Sequence, residues 1–112
     1  MAVRAEELLQ IRSQRRGDTV LLQLTGELDM ATAPLVERAV SASMAGGIRC
    51  FRLDLTHLIF CDGAGLWALR RITNTVRAAD AVFVLEGIHP NVRRTLNRLG
   101  TLSPWSPPIT LD

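Results

Sequence analysis

The chain has 112 residues, the length of one ordinary domain, and 47% of them are hydrophobic, so we expect a globular fold and not a disordered chain. No apolar run approaches the roughly 20 residues of a membrane-spanning helix, and the acidic N-terminus lacks the apolar region of a signal peptide, so we predict a cytoplasmic protein. The net charge is only +2, and the basic residues are scattered arginines without interleaved aromatic residues, which argues against nucleic-acid binding.

The first two predicted elements are strands joined by a turn. Apolar and polar residues alternate from Leu9 to Arg12, and they alternate again over residues 19–24. Residues 15–18, Arg-Arg-Gly-Asp, are typical of a hairpin turn between two such segments. We therefore predict an antiparallel ribbon at the start of the chain.

A helix is predicted next, over residues 32–44. Thr32 is a candidate N-cap, and Pro34 lies in the first turn, where its missing N–H costs nothing. Apolar side chains gather on one side of this helix, and a pair of glycines ends it. A third strand is predicted over residues 51–55, and the chain continues irregularly from there to Cys61.

The second half of the chain predicts two more helices and one more strand. A helix extends over residues 63–78, and a third helix opens at Pro90. Residues 81–85 are apolar throughout, which is typical of a strand covered on both faces. The order β-β-α-β-α-β-α predicts a single α/β domain over residues 1–102, with a mixed sheet of four or five strands and three main helices. A proline-rich tail follows over residues 103–112.

Two loops follow strands and precede helices, over residues 27–32 and 61–66. Sites in open α/β sheets collect at the carboxyl ends of strands, so these loops meet at one edge if their strands are neighbours. Asp62 can cap the second helix with its carboxylate, and Asp29 can cap the first. Each of these residues is also a candidate contact for a partner.

The two loops resemble those of a known family. Residues 24–29, Leu-Thr-Gly-Glu-Leu-Asp, and residues 60–66, Phe-Cys-Asp-Gly-Ala-Gly-Leu, are similar to the characteristic loops of the STAS family, which includes the bacterial anti-sigma-factor antagonists. Residues 91–96 resemble the final helix of that family, and the resemblance covers residues 9–102. It implies a STAS-like fold and a module that binds an anti-sigma factor or a related kinase-like protein. We expect no enzymatic activity, since no Ser-His-Asp or Cys-His set is apparent in the sequence.

The chain departs from the family at the position that is usually phosphorylated. The family has a serine after the loop aspartate, and a partner kinase phosphorylates it in the antagonists, whereas this chain has Gly63 followed by Ala64. Neither residue carries a hydroxyl, so no phosphorylation is expected in this loop. The candidate partner-binding residues are Asp29, Thr32, Asp62, Gly63, Ala64, Gly65, Leu66 and Trp67.

Trp67 is a second departure, because the family commonly carries a small residue there. Helical spacing places Trp67 opposite the apolar sector of the second helix and close to arginines. An exposed tryptophan beside arginines is typical of an interface anchor, so we predict that Trp67 contacts the partner. Packing of Trp67 against the tail, near Trp105, is the alternative.

Other functions stay open at this point. STAS-like domains also dock on membrane transporters and their ATPases, so an accessory transporter subunit is one alternative. A redox-responsive regulator is another, if the Cys50 and Cys61 thiols are close together or one thiolate is activated; two inert, reduced thiols are the simpler interpretation. We expect no cofactor and no metal site, since no phosphate-binding loop with a lysine and no metal-ligand spacing occurs. A homodimer is a further alternative.

Overall fold

Helices and strands alternate along the chain, as the sequence predicts. The computed structural model describes residues 4–100 and 110–111. The elements in chain order are α1 (Ala5–Leu8), β1 (Leu9–Arg16), β2 (Thr19–Leu28), α2 (Ala33–Ser43), β3 (Cys50–Cys61), α3 (Gly63–Ala78), β4 (Val82–Glu86), α4 (Pro90–Gly100) and β5 (Thr110–Leu111). The predicted α/β class and the three main helices are confirmed, while the short α1 and β5 were not predicted.

The five strands form one mixed sheet in the order β1-β2-β3-β4-β5. β1 and β2 are antiparallel, and the other neighbouring strands are parallel. Because parallel neighbours need a long connection, a helix lies between the strands of each parallel pair in the chain: α2 between β2 and β3, α3 between β3 and β4, and α4 between β4 and β5. The predicted mixed sheet is therefore confirmed, including the antiparallel ribbon at its start.

The hydrophobic core lies on one face of this sheet. Alternate residues of the strands are fully buried there, and the apolar sides of α2, α3 and α4 cover them. In α3 the buried apolar residues follow the predicted helical spacing, at Ala68, Leu69, Ile72 and Val76. Each fully buried large aliphatic side chain stabilises the fold by roughly 1.5–3 kcal/mol, so this face provides most of the stability.

Within residues 4–100, the helices α2, α3 and α4 all pack on the core face and leave the opposite face of the sheet open, which corrects one prediction. The apolar run over residues 81–85 predicts a strand covered on both faces, but the Val82 side chain is 58% exposed. The register places Val82 beside Cys50, and Cys50 beside Thr19, all pointing away from the core. A continuous apolar sequence does not distinguish a strand between two layers from a strand with one open face.

The strands next to the two loops are longer than predicted. β2 continues to Leu28 and β3 to Cys61, and two irregularities in their register obscure the alternation near these ends. The hairpin turn is shorter than predicted, because only Gly17 and Asp18 separate the strands. Residues 103–109 and 112 of the predicted tail lie outside the described residues. No helix among the described residues is long and apolar enough to span a membrane.

Candidate functional site

The loop after β2 and the loop after β3 meet at one edge of the sheet, as expected. The last residues of the two strands, Leu28 and Cys61, are paired in register. The Asp62 N–H also donates a hydrogen bond of 3.4 Å to the Leu28 carbonyl. The two chain segments that resemble the family loops are therefore adjacent in space.

A network of hydrogen bonds within the chain holds the loop after β2. One carboxylate oxygen of Asp29 accepts from the Ala31 and Thr32 N–H groups, at 2.9 and 3.0 Å. The Thr32 hydroxyl accepts from the Asp29 N–H and donates to the Glu27 carbonyl, at 2.9 Å in both cases. Thr32 occupies the N-cap position of α2, but its side chain makes no capping bond. It is completely buried, so it shapes the loop and offers no surface to a partner.

The loop after β3 begins α3 in the way the sequence predicts. Asp62 is the N-cap, and its carboxylate accepts from the Gly65 N–H at 2.9 Å. Gly65 is buried, and a Cβ atom there would lie 2.5 Å from the Leu28 carbonyl oxygen and 2.8 Å from the Cys61 sulfur. Only glycine allows the start of α3 to approach both strand ends this closely.

Gly63 has the opposite surroundings, although it is only two residues away. It is exposed, and a Cβ atom added to it would meet no other atom within 4 Å. The position that carries a serine in the family is therefore on the surface and has room for a side chain. Ala64 and Leu66 are half-buried beside it.

Exposed apolar side chains surround these loops. Trp67 is 58% exposed, in agreement with its predicted orientation, and the Arg70 guanidinium carbon lies 5.1 Å from the centre of its ring. Met30 in the first loop is 79% exposed, and Ile59 and Phe60 near the end of β3 are about half exposed. We refer to residues 29–31, 59–60 and 62–67 together as the loop edge.

Sequence reasoning missed three of these side chains, Met30, Ile59 and Phe60. Two signals were available: an apolar residue within a polar loop, and two consecutive apolar residues beyond the predicted end of a strand. The register irregularity between Gly26 and Glu27 leaves both Ile59 and Phe60 exposed, and no pattern in the sequence reveals it. Trp105, the alternative contact of Trp67, lies outside the described residues.

The two cysteines are not close to each other. Cys50 begins β3 and Cys61 ends it, so about 36 Å of extended strand separates them, whereas a disulfide needs Cα atoms within about 7 Å. Burial, with a smaller effect of the Asp62 charge, raises the pKa of the Cys61 thiol to about 12. Cys61 is thus a protonated thiol at neutral pH, and the structure supports neither a disulfide between the two cysteines nor an activated thiolate at Cys61.

The charged groups of the described residues do not form a metal site. No cluster of three or more His, Cys, Asp or Glu side chains with suitable geometry occurs within residues 4–100 or 110–111. At the loop edge, the carboxylates of Asp29 and Asp62 accept from backbone N–H groups of their own loops. Their observed role is to shape the starts of α2 and α3.

Comparison with known proteins identifies the family. Three solved structures have the same fold. An anti-sigma factor antagonist from Mycobacterium paratuberculosis matches with a TM-score of 0.73 and 23% sequence identity, over 88% of this chain and 84% of that chain. SpoIIAA, a cell fate determinant of Bacillus, in its phosphorylated form matches with a TM-score of 0.66 and 19% identity (92% and 91% of the two chains), and a sulfate transporter family protein from Wolinella succinogenes with a TM-score of 0.70 and 16% identity (85% and 77%). The sequence also matches the STAS domain model over residues 10–105, which is most of the chain. The chain therefore belongs to the STAS domain family.

Proposed function

We propose that this chain is a regulatory binding module that acts as an anti-sigma-factor antagonist, and that its loop edge binds an anti-sigma factor or a related kinase-like protein. The observation that carries the proposal is the exposed apolar surface of Met30, Phe60 and Trp67 around the Asp62 helix cap. The fold shared with an anti-sigma factor antagonist and with SpoIIAA supports it.

The loop edge has the chemistry of a protein-binding surface. Burying exposed apolar area contributes about 25 cal/mol per Å², and tryptophan is enriched among the residues that dominate binding energy. The Arg70 guanidinium lies beside the Trp67 ring and places a positive charge next to the indole. Gly63 and Ala64 have little or no side chain, which lets the backbone of a partner approach the start of α3.

The same surface lacks a switch that depends on phosphorylation. A phosphate after Asp62 would place about two negative charges beside that carboxylate and would repel an acidic partner. Gly63 has no hydroxyl to accept a phosphate. We therefore propose that the loop edge stays competent to bind, and that the module works by sequestering its partner and not by catalysis.

The direct test is the substitution Trp67→Ala, with affinity for the isolated kinase-like anti-sigma factor measured by calorimetry. We expect a loss of about 2 kcal/mol or more, roughly 30-fold in Kd, because the indole is an exposed anchor. We expect little change in Tm, since Trp67 is 58% exposed and lies outside the core.

Val82→Ala is the matched control, because Val82 is also apolar and 58% exposed but lies on the open face of the sheet. It should leave the affinity unchanged. An unchanged affinity for Trp67→Ala, or a large drop in its Tm, would show that Trp67 is structural and that the binding surface lies elsewhere.

An accessory role in a transport complex is the second candidate. The fold shared with a sulfate transporter family protein favours it. Calorimetry against the two partner classes separates the candidates: saturable binding to a membrane-bound transporter or its ATPase, with none to a kinase-like anti-sigma factor, would replace the first proposal by the second.

A further inference from the structure

The face of the sheet opposite the helices presents an ordered grid of side chains, which we call the open face. Strand register places these residues in three neighbouring rows: Arg12, Gln23, Asp54 and Glu86; Gln14, Leu21, Arg52 and Val84; and Arg16, Thr19, Cys50 and Val82. The acidic residues are confined to the first row. The other two rows, towards the β1–β2 turn, contain arginines, neutral polar groups and apolar side chains only.

A cleft of about 170 Å³ lies within these two rows. Its lining residues come from three strands and are Gln14, Arg16, Thr19, Leu21 and Arg52. Two guanidinium groups, an amide and a hydroxyl supply hydrogen-bond donors around Leu21, and the lining includes no carboxylate. The cleft therefore combines hydrogen-bond donors and the positive charge of Arg16 with an apolar contact, while the charge of Arg52 is paired with Glu86.

The two arginines of the cleft differ in their partners. Arg52 is oriented by Glu86, whose carboxylate oxygens each lie 2.9 Å from its guanidinium nitrogen. Arg16 is exposed, and within residues 4–100 and 110–111 it has neither an ion pair nor a side-chain hydrogen bond. One arginine is thus fixed in place while the other carries a positive charge that the described fold does not neutralise.

We propose that the open face is a second protein-docking surface, on which an extended acidic segment of a partner protein places a glutamate or aspartate side chain between Arg16 and Arg52. An arginine fork binds a carboxylate with charge-assisted hydrogen bonds, so the cleft is complementary to such a side chain. Val82 and Val84 lie beside it and provide apolar contacts for neighbouring residues of the segment.

The dimensions of the cleft and of the face select this occupant. Pockets for nucleotides and similar ligands enclose about 300 Å³ or more, so a cleft of about 170 Å³ is suited to a single side chain. The three rows cross four strands about 4.8 Å apart and extend about 17 Å along them, the length of the five-residue β4, which gives a face of roughly 330 Å². A stable dimer buries roughly 800 Å² on each partner, so a second copy of this chain is the weaker fit.

The open face is separate from the loop edge. The cleft lies near Thr19, where β2 begins, whereas the loop edge follows Leu28, where β2 ends, about 30 Å away along the strand. The two surfaces can therefore be occupied at the same time. The inference does not depend on which protein binds the loop edge.

The test uses the full chain labelled with ¹⁵N and an acetylated octapeptide of alternating glutamate and valine as the probe, followed by NMR. We expect saturable shifts of the amide signals of Gln14, Thr19, Leu21 and Arg52, and none at Asp62 or Gly65. Arg16→Gln, which removes the charge without reversing it, should weaken peptide binding about tenfold. Arg38→Gln is the control, because Arg38 is exposed on α2 and loses the same charge.

The proposal is overturned if the amide shifts do not saturate, or if Arg38→Gln weakens peptide binding as much as Arg16→Gln does. It is also overturned if a lysine–valine peptide binds as tightly as the glutamate–valine peptide. The same amide shifts with inorganic phosphate, at the same affinity, would mean an adventitious ion only. Sedimentation of the unliganded protein provides the last comparison. A dimer that Arg16→Gln dissociates would assign the open face to a second copy and exclude the acidic segment.

Discussion

Gly63 and Gly65 show how differently one residue type is used within a single loop. Gly65 is fixed by the close approach of Leu28 and Cys61, whereas Gly63 faces open space. The first position is therefore a packing requirement. The second carries no steric constraint, so its identity bears on surface chemistry and not on the fold.

A pair of alanine substitutions tests this difference. Gly65→Ala should lower the free energy of unfolding by about 1–3 kcal/mol, because the new methyl group overlaps the Leu28 carbonyl oxygen and the Cys61 sulfur. Gly63→Ala is the control and should change stability by less than about 1 kcal/mol, since its methyl group meets nothing. Urea unfolding of the two variants gives the comparison, and equal effects would mean that Leu28 and Cys61 do not crowd position 65.

The absence of a hydroxyl at position 63 gives a second prediction. With a cognate kinase and ATP, the natural chain should acquire no phosphate on residues 61–66, whereas Gly63→Ser should acquire one, because the side chain has room at this exposed position. Mass spectrometry of proteolytic peptides locates the modification. A phosphate on residues 61–66 of the natural chain would refute the prediction, while one at a distant threonine would indicate a different regulatory input.

The sequence predicts the environment of single residues where local helix geometry determines it. The Asp62 cap and the exposure of Trp67 follow from helix geometry alone. The burial of Thr32 was not predictable, because its hydroxyl bonds to Glu27 through the fold of a loop that periodicity does not describe. The partner-binding roles of the loop-edge residues stay predictions.

At the scale of elements, one arginine connects the β1–β2 ribbon to the segment after α2. The Arg15 guanidinium donates to the carbonyls of Gly17, Ala45 and Gly46, at 3.0, 2.7 and 2.6 Å. The sequence placed Arg15 in the hairpin turn, but it is the penultimate residue of β1. Gly17 is two residues away, but Ala45 and Gly46 lie 30 and 31 residues away, so no local pattern predicts the connection to them.

Removing that connection should loosen the segment after α2. We expect Arg15→Ala to lower the free energy of unfolding by about 1 kcal/mol, because the bonds are charge-assisted but exposed. Hydrogen exchange should become faster in residues 44–48. Arg12→Ala is the matched control on the same strand, and it should change neither quantity. Equal exchange rates in Arg15→Ala and the natural chain would show that the backbone alone holds the segment after α2.

At the scale of the whole molecule, the amino-acid composition leaves few side chains that titrate at alkaline pH. The chain has no tyrosine and no lysine, the side chains that ordinarily titrate near pH 10, so a change in stability between about pH 9 and 12 can be assigned to Cys61. Burial raises the pKa of Cys61 from 9.0 to about 12. Above pH 9 the unfolded chain therefore loses a proton that the folded chain keeps, which favours unfolding.

The free energy of unfolding should consequently be fully retained below pH 9 and should fall as the pH rises from about 9 towards 12. Urea unfolding at several pH values measures this slope. Cys61→Ala should remove most of the fall, and Cys50→Ala should preserve it, because Cys50 is only half-buried at the other end of β3. Equal slopes in the natural chain and Cys61→Ala would contradict the assignment.

The overall architecture was predictable because alternating strands and helices permit few topologies. The open face was not, because the apolar run at residues 81–85 is compatible with one covered face or two. Which face is covered depends on where the helices pack. The position of the helices is set by the crossovers between strands and not by the sequence of any single segment.

The parallel pairing of β2 with β3 also determines when the loop edge forms during folding. β1 and β2 are joined by a two-residue turn, so their pairing is local, whereas Leu28 and Cys61 are 33 residues apart. Contacts between distant residues form late, because they carry the entropy of closing a long loop. A nascent or partly folded chain can therefore possess the ribbon but lacks the loop edge. Binding at the loop edge would select completely folded molecules and would prevent an unfinished chain from sequestering a regulator.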